Sequence, residues 1–299
     1  MSAVAYVNGR IHAQQDAMIS VFDHGFLYGE GVYEVIRTYG GALFLVDRHF
    51  RRLRASASMI TLDVGIPDRA LEGIVHETIA AYRAGAGDAA SGQEVLARIL
   101  VTRGIGEMSY DPSKSPHSSL VVIVKALVPP PAAAYERGVA VSLVSVVRNH
   151  PASVDPRIKS NNLLNNALAM QEALRRGPSF EAIMRNFRGE LSECSQSNLF
   201  LVKDGTVRTP ALDAGLLAGI TREFVEEVAV ETGIPTADVV LRDDDLFGAD
   251  EAFLTSTSKE IVPIVRVDDR VIGSGRPGPV TLRLLEAYRL KARAVAGRG

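Results

Sequence analysis

From Val128 to Ala134 the chain reads Val-Pro-Pro-Pro-Ala-Ala-Ala. Consecutive prolines stiffen the backbone and cannot donate to a ladder, so no sheet runs through this stretch. The 299 residues therefore divide into a domain over 1–127, a linker over 128–134 and a larger domain over 135–299. With 46% hydrophobic residues there is enough apolar material for a substantial core.

In the first part, residues 4 to 12 read as two short strands about Asn8-Gly9, a strong hairpin signal. The glycine- and aromatic-rich stretch 22–31 is a tightly bending loop that leads into a strand over Val32-Tyr-Glu-Val-Ile-Arg-Thr38. Alternation puts Tyr33, Val35 and Arg37 on one face and Glu34, Ile36 and Thr38 on the other. A Tyr, Val and Arg face either lines a pocket or meets solvent. Residues 46–61 and 67–84 read as helices, 84–92 as a loop, and 94–102 and 118–125 as strands.

Beyond the linker a strand is expected over 138–147, followed by a helix from Ser160 whose Leu163, Leu164, Ala167, Leu168, Gln171 and Leu174 recur at helical spacing. Strands follow near 180–185, 189–193 and 197–208, then a helix over 221–232, strands near 237–241, 250–255 and 260–267, and a helix over 279–296. Strand runs that do not alternate strictly with helices make this an α+β chain with mixed sheets.

Six lysines stand against 27 arginines, so an ordered lysine such as Lys159, where chain enters the expected helix, asks for a reason. An ammonium, unlike a guanidinium, can be desolvated, lose its proton near neutral pH and attack a carbonyl carbon. The bland alternative is a solvated lysine before a helix. Glu193 falls in the segment Glu190–Asn198, read as a polar turn between strands, where a buried carboxylate needs a cationic partner. Gly219-Ile220-Thr221 opens a helix whose free N–H groups favour anions, and Thr255-Ser-Thr257-Ser258 adds hydroxyls between two strands. Each of these is, taken alone, a cap, a turn or a satisfied core group. Together, an amine, a carboxylate and two anion-binding turns are what pyridoxal phosphate requires.

Other classes fall away. A net charge of −2 gives no bias toward nucleic acid or membrane, and no apolar run approaches a membrane span. The single cysteine, Cys194, rules out an intramolecular disulfide. It reads as a small packing residue, and the cytoplasm is the expected compartment. Scattered histidines make a metal site unexpected. The run Gly273-Ser-Gly275-Arg-Pro-Gly278 has dinucleotide-fingerprint spacing but opens no βαβ unit, and is read as a loop.

The segments YVNGRI, FLYGEGVYEVIRTYGG, HFRRL, VTRGIG, DPRIKSNNLLNN, ELSECSQSNLFLVKDG, LLAGITRE, EAFLTSTSKEIVPI and GRPGPVT, in this order over nearly the whole chain, resemble the class IV, fold type IV aminotransferases. That resemblance implies a small N-terminal α/β domain and a larger C-terminal mixed-sheet α/β domain that binds cofactor, with pyridoxal 5'-phosphate between them in a homodimer or dimer-based oligomer. It implies a Schiff base on Lys159, Glu193 at the pyridine nitrogen, and Arg52, Ile220, Thr221 and Thr257 about the phosphate. The reaction implied is ping-pong transfer of an amino group between an amino acid and a 2-oxo acid, with Tyr33, Val35, Arg37, Arg98, Arg103 and Ser258 as the substrate set. Val35 stands where branched-chain enzymes usually have glycine, which looks like the D-amino-acid enzymes, as does the stretch IKSNNLLNN. Arg103 matches a carboxylate-binding position of those enzymes. Arg37, Arg98 and TRGIGEMSYDP look like branched-chain enzymes, though Leu96 and Leu164 replace tyrosines common there. Whole-segment likeness favours a branched-chain-type aminotransferase. D-amino-acid transamination comes second, then an aminodeoxychorismate lyase or an R-selective amine transaminase, and an inactive binding scaffold last.

Overall fold

The computed structural model describes residues 3–87 and 92–297, and these form two compact units. The first takes in the described residues of Met1–Val128, Ile158–Asn162 and Arg293–Gly299; the second takes in Pro129–Arg157 and Leu163–Ala292. Two segments lying far along the chain, one of them carrying Lys159, thus group with the N-terminal unit. The prolines end at Pro131, which caps a short helix, so 132–134 are helical and not an extended linker.

The first unit is built on strands β1 (Val4–Val7), β2 (Arg10–Ala13), β3 (Gly31–Tyr39), β4 (Ala42–Leu43), β5 (Val95–Thr102) and β6 (Ser119–Ala126). They lie in the order β2-β1-β6-β5-β3-β4, and every pairing is antiparallel. The β1–β2 turn has positive φ at both Asn8 and Gly9, the twist that a two-residue hairpin demands. Helix α1 (His24–Leu27) is a single turn capped by Asp23. On one sheet face Val32, Ile36, Ala97, Ile99, Val101, Val122 and Val124 meet Phe50, Leu53 and Ala57 of α2 (Val46–Met59) and Leu71, Val75, Ile79 and Tyr82 of α3 (Asp68–Ala86). Leu71, Val75 and Ile79 recur four residues apart, which puts them on one face of α3. Helix α3 runs on into the loop expected at 84–92, of which 88–91 lie outside the described residues.

The second unit carries a nine-stranded sheet: β7 (Val139–Leu143), β8 (Ala182–Arg185), β9 (Leu191–Cys194), β10 (Asn198–Lys203), β11 (Thr206–Pro210), β12 (Thr236–Val239), β13 (Glu251–Ser256), β14 (Glu260–Val267) and β15 (Arg270–Val271). The order is β12-β11-β10-β13-β14-β7-β8-β9, with β15 on β14; β7 runs parallel to β8 and β14, and β11 parallel to β12. Consecutive strands β9 and β10 stand far apart along that path, yet only residues 195–197 join them, so the sheet must curl. The helices are α4 (Ala132–Glu136), α5 (Leu164–Arg176), α6 (Ile220–Glu231), α7 (Asp243–Phe247) and α8 (Pro279–Ala296).

Three local expectations are corrected. Helix α5 begins at Leu164, not Ser160, because the backbone of 159–161 is claimed by the edge of β3. Its buried residues are Ala169 and Ala173, packed with Val144, Ala182 and Met184, while Leu164, Leu168 and Leu174 are exposed. Small residues let this helix lie close to the sheet. The strand expected to reach 147 stops at Leu143, since the Glu172 carboxylate takes the N–H groups of Ser145 (2.8 Å) and Val146 (3.1 Å). Glu193 lies within β9; the turn is confined to 195–197.

Candidate active site

Lys159 owes its place to an unfilled sheet edge. Strand β4 covers β3 only at Thr38 and Tyr39, which leaves backbone groups near Gly31–Tyr33 to be paired. Tyr33 N–H donates to Lys159 O (2.9 Å), Asn161 N–H donates to Gly31 O (2.9 Å), and Ser160 bridges Val32. From the other side the buried Ser56 of α2 accepts from Lys159 N–H (3.1 Å). The lysine backbone is therefore held by a strand and a helix. Its Nζ lies 4.5 Å from the Tyr33 ring centroid, and the Arg98 guanidinium lies 4.1 Å from the same centroid. Register sets Arg98 opposite Val35, Tyr33 opposite Leu100 and Arg37 opposite Leu96, so this sheet face carries Arg37, Arg98, the Tyr33 ring and the apolar Val35, Leu96 and Leu100, with the Lys159 ammonium against the ring.

The opposite face of β3 carries Glu34, 0% exposed. Arg52 grips it through Nε (2.7 Å) and Nη2 (2.8 Å), and His49 Nδ1 lies at 2.7 Å. Burial, the largest influence on Glu34, favours protonation, but the charges and hydrogen bonds of Arg52 and His49 overcome it and hold the carboxyl far below its usual range. Burial, with the Arg52 and Lys159 charges, lowers His49 against the pull of Glu34, so the ring is neutral and its Nδ1–H donates. Arg37 stacks on Tyr39 (3.9 Å). Arg103 is spent on architecture: its guanidinium donates to Glu30 and to the carbonyls of Ile60 and Thr61 just past the end of α2.

In the second unit Glu193 is buried and accepts from Arg148 Nε (2.7 Å) and Leu217 N–H (3.1 Å); Arg148 also reaches Asn165 (3.1 Å). The cationic partner expected for this carboxylate is thus Arg148. Helix α6 starts after Gly219 with no capping side chain, leaving the first-turn N–H groups of Ile220 and Thr221 for another acceptor. A Cβ on Gly219 would lie 1.9 Å from Asn198 Oδ1. Asn198 pairs in register with Thr255, whose buried hydroxyl has no partner among the described residues, nor has that of Ser256. Thr257 and Ser258 occupy the turn that follows. Uncapped helix N–H groups and an unspent buried hydroxyl on the strand that pairs with Asn198 are donors of the kind a phosphate ester takes.

Residues 31–267 match the profile of the family described as Amino-transferase class IV. The chain belongs to the class IV aminotransferases. A protein of Methanocaldococcus jannaschii named for branched-chain-amino-acid aminotransferase activity is 36% identical over 284 residues, 95% of this chain and 94% of that one. A D-alanine aminotransferase of Staphylococcus haemolyticus is 33% identical over 291 residues, 95% of each. A branched-chain amino acid aminotransferase from T.th., solved with N-(5'-phosphopyridoxyl)-L-glutamate, superposes with a TM-score of 0.88 at 30% identity, covering 99% of this chain and 95% of that one. The fold is accordingly the fold type IV, α+β arrangement, and the cofactor is pyridoxal phosphate.

For this aminotransferase several positions escaped sequence reasoning. Ser56 and His49 share the face of α2 that carries Arg52, and Glu34 is a carboxylate on the inward side of an apolar strand, a pattern that does signal a buried ion pair. Arg148 carried no local signal.

Proposed function

We propose that this aminotransferase transfers the amino group of an amino acid with an apolar, branched-chain-type side chain to a 2-oxo acid by a ping-pong route. The observation that carries this is the β3–β5 face: Arg98 and Lys159 contact one tyrosine ring, and the surrounding positions are Val35, Leu96 and Leu100. A substrate carboxylate matches the Arg98 cation, and an apolar side chain matches the rest.

Pyridoxal phosphate, when bound, supplies an electron-withdrawing ring conjugated to the substrate nitrogen. Lys159 carries the cofactor at rest and then moves the proton at the substrate α-carbon, first as base and then as acid. Glu193 would face the ring nitrogen and favour its protonated form, and Arg148 Nε (2.7 Å) holds the carboxylate in place. Ile220 and Thr221 N–H groups, Thr257 and Arg52 hold the phosphate. Arg98 orients the substrate, with Tyr33, Val35, Arg37 and Ser258 shaping its surroundings.

A second reading, transamination of D-amino acids, is favoured by Val35, which crowds the face opposite Arg98, and by the D-alanine aminotransferase relatives. Adding L-leucine, D-alanine or (R)-1-phenylethylamine singly to the holoenzyme and following the visible absorption separates these. Conversion with L-leucine alone supports the first reading; conversion with D-alanine and not L-leucine replaces it with the second.

We also infer a homodimer, supported by the exposed Met18, Phe22, Phe26, Met108 and Tyr110 of the first unit; a monomeric mass by light scattering would exclude it. Among the described residues no helix is long and apolar enough to cross a membrane, and with the lone buried Cys194 we assign the enzyme to the cytoplasm.

A further inference from the structure

A buried carboxylate of the second unit lies outside the residues assigned so far. Glu181, just before β8, is 0% exposed. Four donors converge on it: Ser197 Oγ (2.6 Å) and Lys259 Nζ (2.5 Å) at Oε1, and Gln196 N–H (2.8 Å) and Ser195 Oγ (3.4 Å) at Oε2. They fill the four lone-pair directions of a carboxylate.

Three of these donors are the whole of the turn 195–197 that joins β9 to β10. The fourth belongs to the turn joining β13 to β14. Lys259 Nζ also donates to Gln196 Oε1 (3.1 Å), and its carbonyl accepts from Tyr135 OH (3.0 Å). Two residues before Ser195 stands Glu193; two before Lys259 stands Thr257. Between the turns Asn198 pairs with Thr255.

We propose that Glu181 and Lys259 are positioning residues, an ion pair that locks the two turns together and thereby places Glu193 and Thr257 for the cofactor. This rests on the reading of Glu193 and Thr257 given above. The physical ground is that the turn pairs Ser195 N–H with Ala182 O of β8 (2.8 Å) but leaves Gln196 N–H and the Ser197 hydroxyl to a side chain, and Glu181 accepts from both. The charge is tolerated inside because Lys259, only 15% exposed in its side chain, neutralises it. Removing either member leaves the other's charge without its counter-ion in a largely buried place, which favours opening of the turn to water.

The test compares the full-length wild type with Glu181→Gln, Lys259→Met and Lys259→Arg, by hydrogen exchange of peptides spanning 194–198 and by pyridoxal phosphate affinity from visible absorption. Glu181→Gln keeps shape but turns an acceptor into a donor facing other donors. Both neutral variants are expected to speed exchange at Gln196 and weaken cofactor binding roughly tenfold, and Lys259→Arg to restore both. Faster exchange with unchanged affinity reduces the pair to a structural staple and overturns the proposal, as does unchanged exchange. If Glu181→Gln does not fold, the Lys259→Met and Lys259→Arg pair still decides. A wild type that takes up no pyridoxal phosphate would instead sink the underlying cofactor reading.

Discussion

Replacing Glu34 by glutamine keeps the side chain's shape and removes the negative charge that Arg52 and His49 both bond. Arg52 is then left with its charge largely buried, its side chain 13% exposed, and breaking one member of such a pair costs about 3–5 kcal/mol. The pH dependence gives a sharper signature. Glu34 is held far below its ordinary value of 4.5 in the folded protein. A depressed carboxyl contributes stability that is fully present above the unfolded value and lost progressively as pH falls toward the folded one. At pH 3.5, one unit below 4.5, about 1.4 kcal/mol of the difference between wild type and Glu34→Gln disappears. The assay is urea denaturation at pH 7 and pH 3.5 with hydrogen exchange read on peptides from β3 and α2, which reports the first unit without assuming that both units unfold together. A difference under about 1 kcal/mol at pH 7, or one that does not shrink at low pH, would refute the account of a buried, ionised Glu34.

Lys159→Ala should lose transamination and the borohydride-fixable cofactor together; retention of either contradicts the assigned role. Gly219→Ala puts a methyl 1.9 Å from Asn198 Oδ1, so Asn198 must move and pyridoxal phosphate affinity should fall roughly tenfold in an absorbance titration, whereas undiminished affinity removes the helix N-terminus from the phosphate site. Burial, ahead of the nearby Asp238 and Glu223, raises Glu226 to about 7. A raised carboxyl holds in the folded state a proton that the unfolded chain releases near 4.5, so its contribution is lost as pH climbs through 7, and Glu226→Gln should flatten the fall in Tm between about pH 5 and pH 8; an unchanged slope in calorimetry argues against it. Cys194, 1% exposed with its thiol pushed up by burial, should react with thiol reagents only on unfolding, and rapid labelling of the native enzyme would show that β9 opens.

The sequence by itself determined the elements whose signals are local. Asn8-Gly9 specified its hairpin through backbone freedom, the helices read over 46–61, 67–84 and 279–296 are α2, α3 and α8, and alternation in β3 assigned Glu34 and Tyr33 to opposite faces. Lys159, Glu193 and the start of α6 were also legible, because an amine, a carboxylate and a helix opening are chemical types visible one residue at a time. Only the tertiary structure decided what surrounds them. The Lys159 stretch is extended, because the bare edge of β3 offered hydrogen bonds that outbid a helix. Arg148 found Glu193 across 45 residues, and Glu181 drew together two turns whose Gln196 and Lys259 lie 63 residues apart. Such pairings follow from which strand edges and buried charges lack partners once the sheets have closed, a property of the assembled fold that no window of sequence contains.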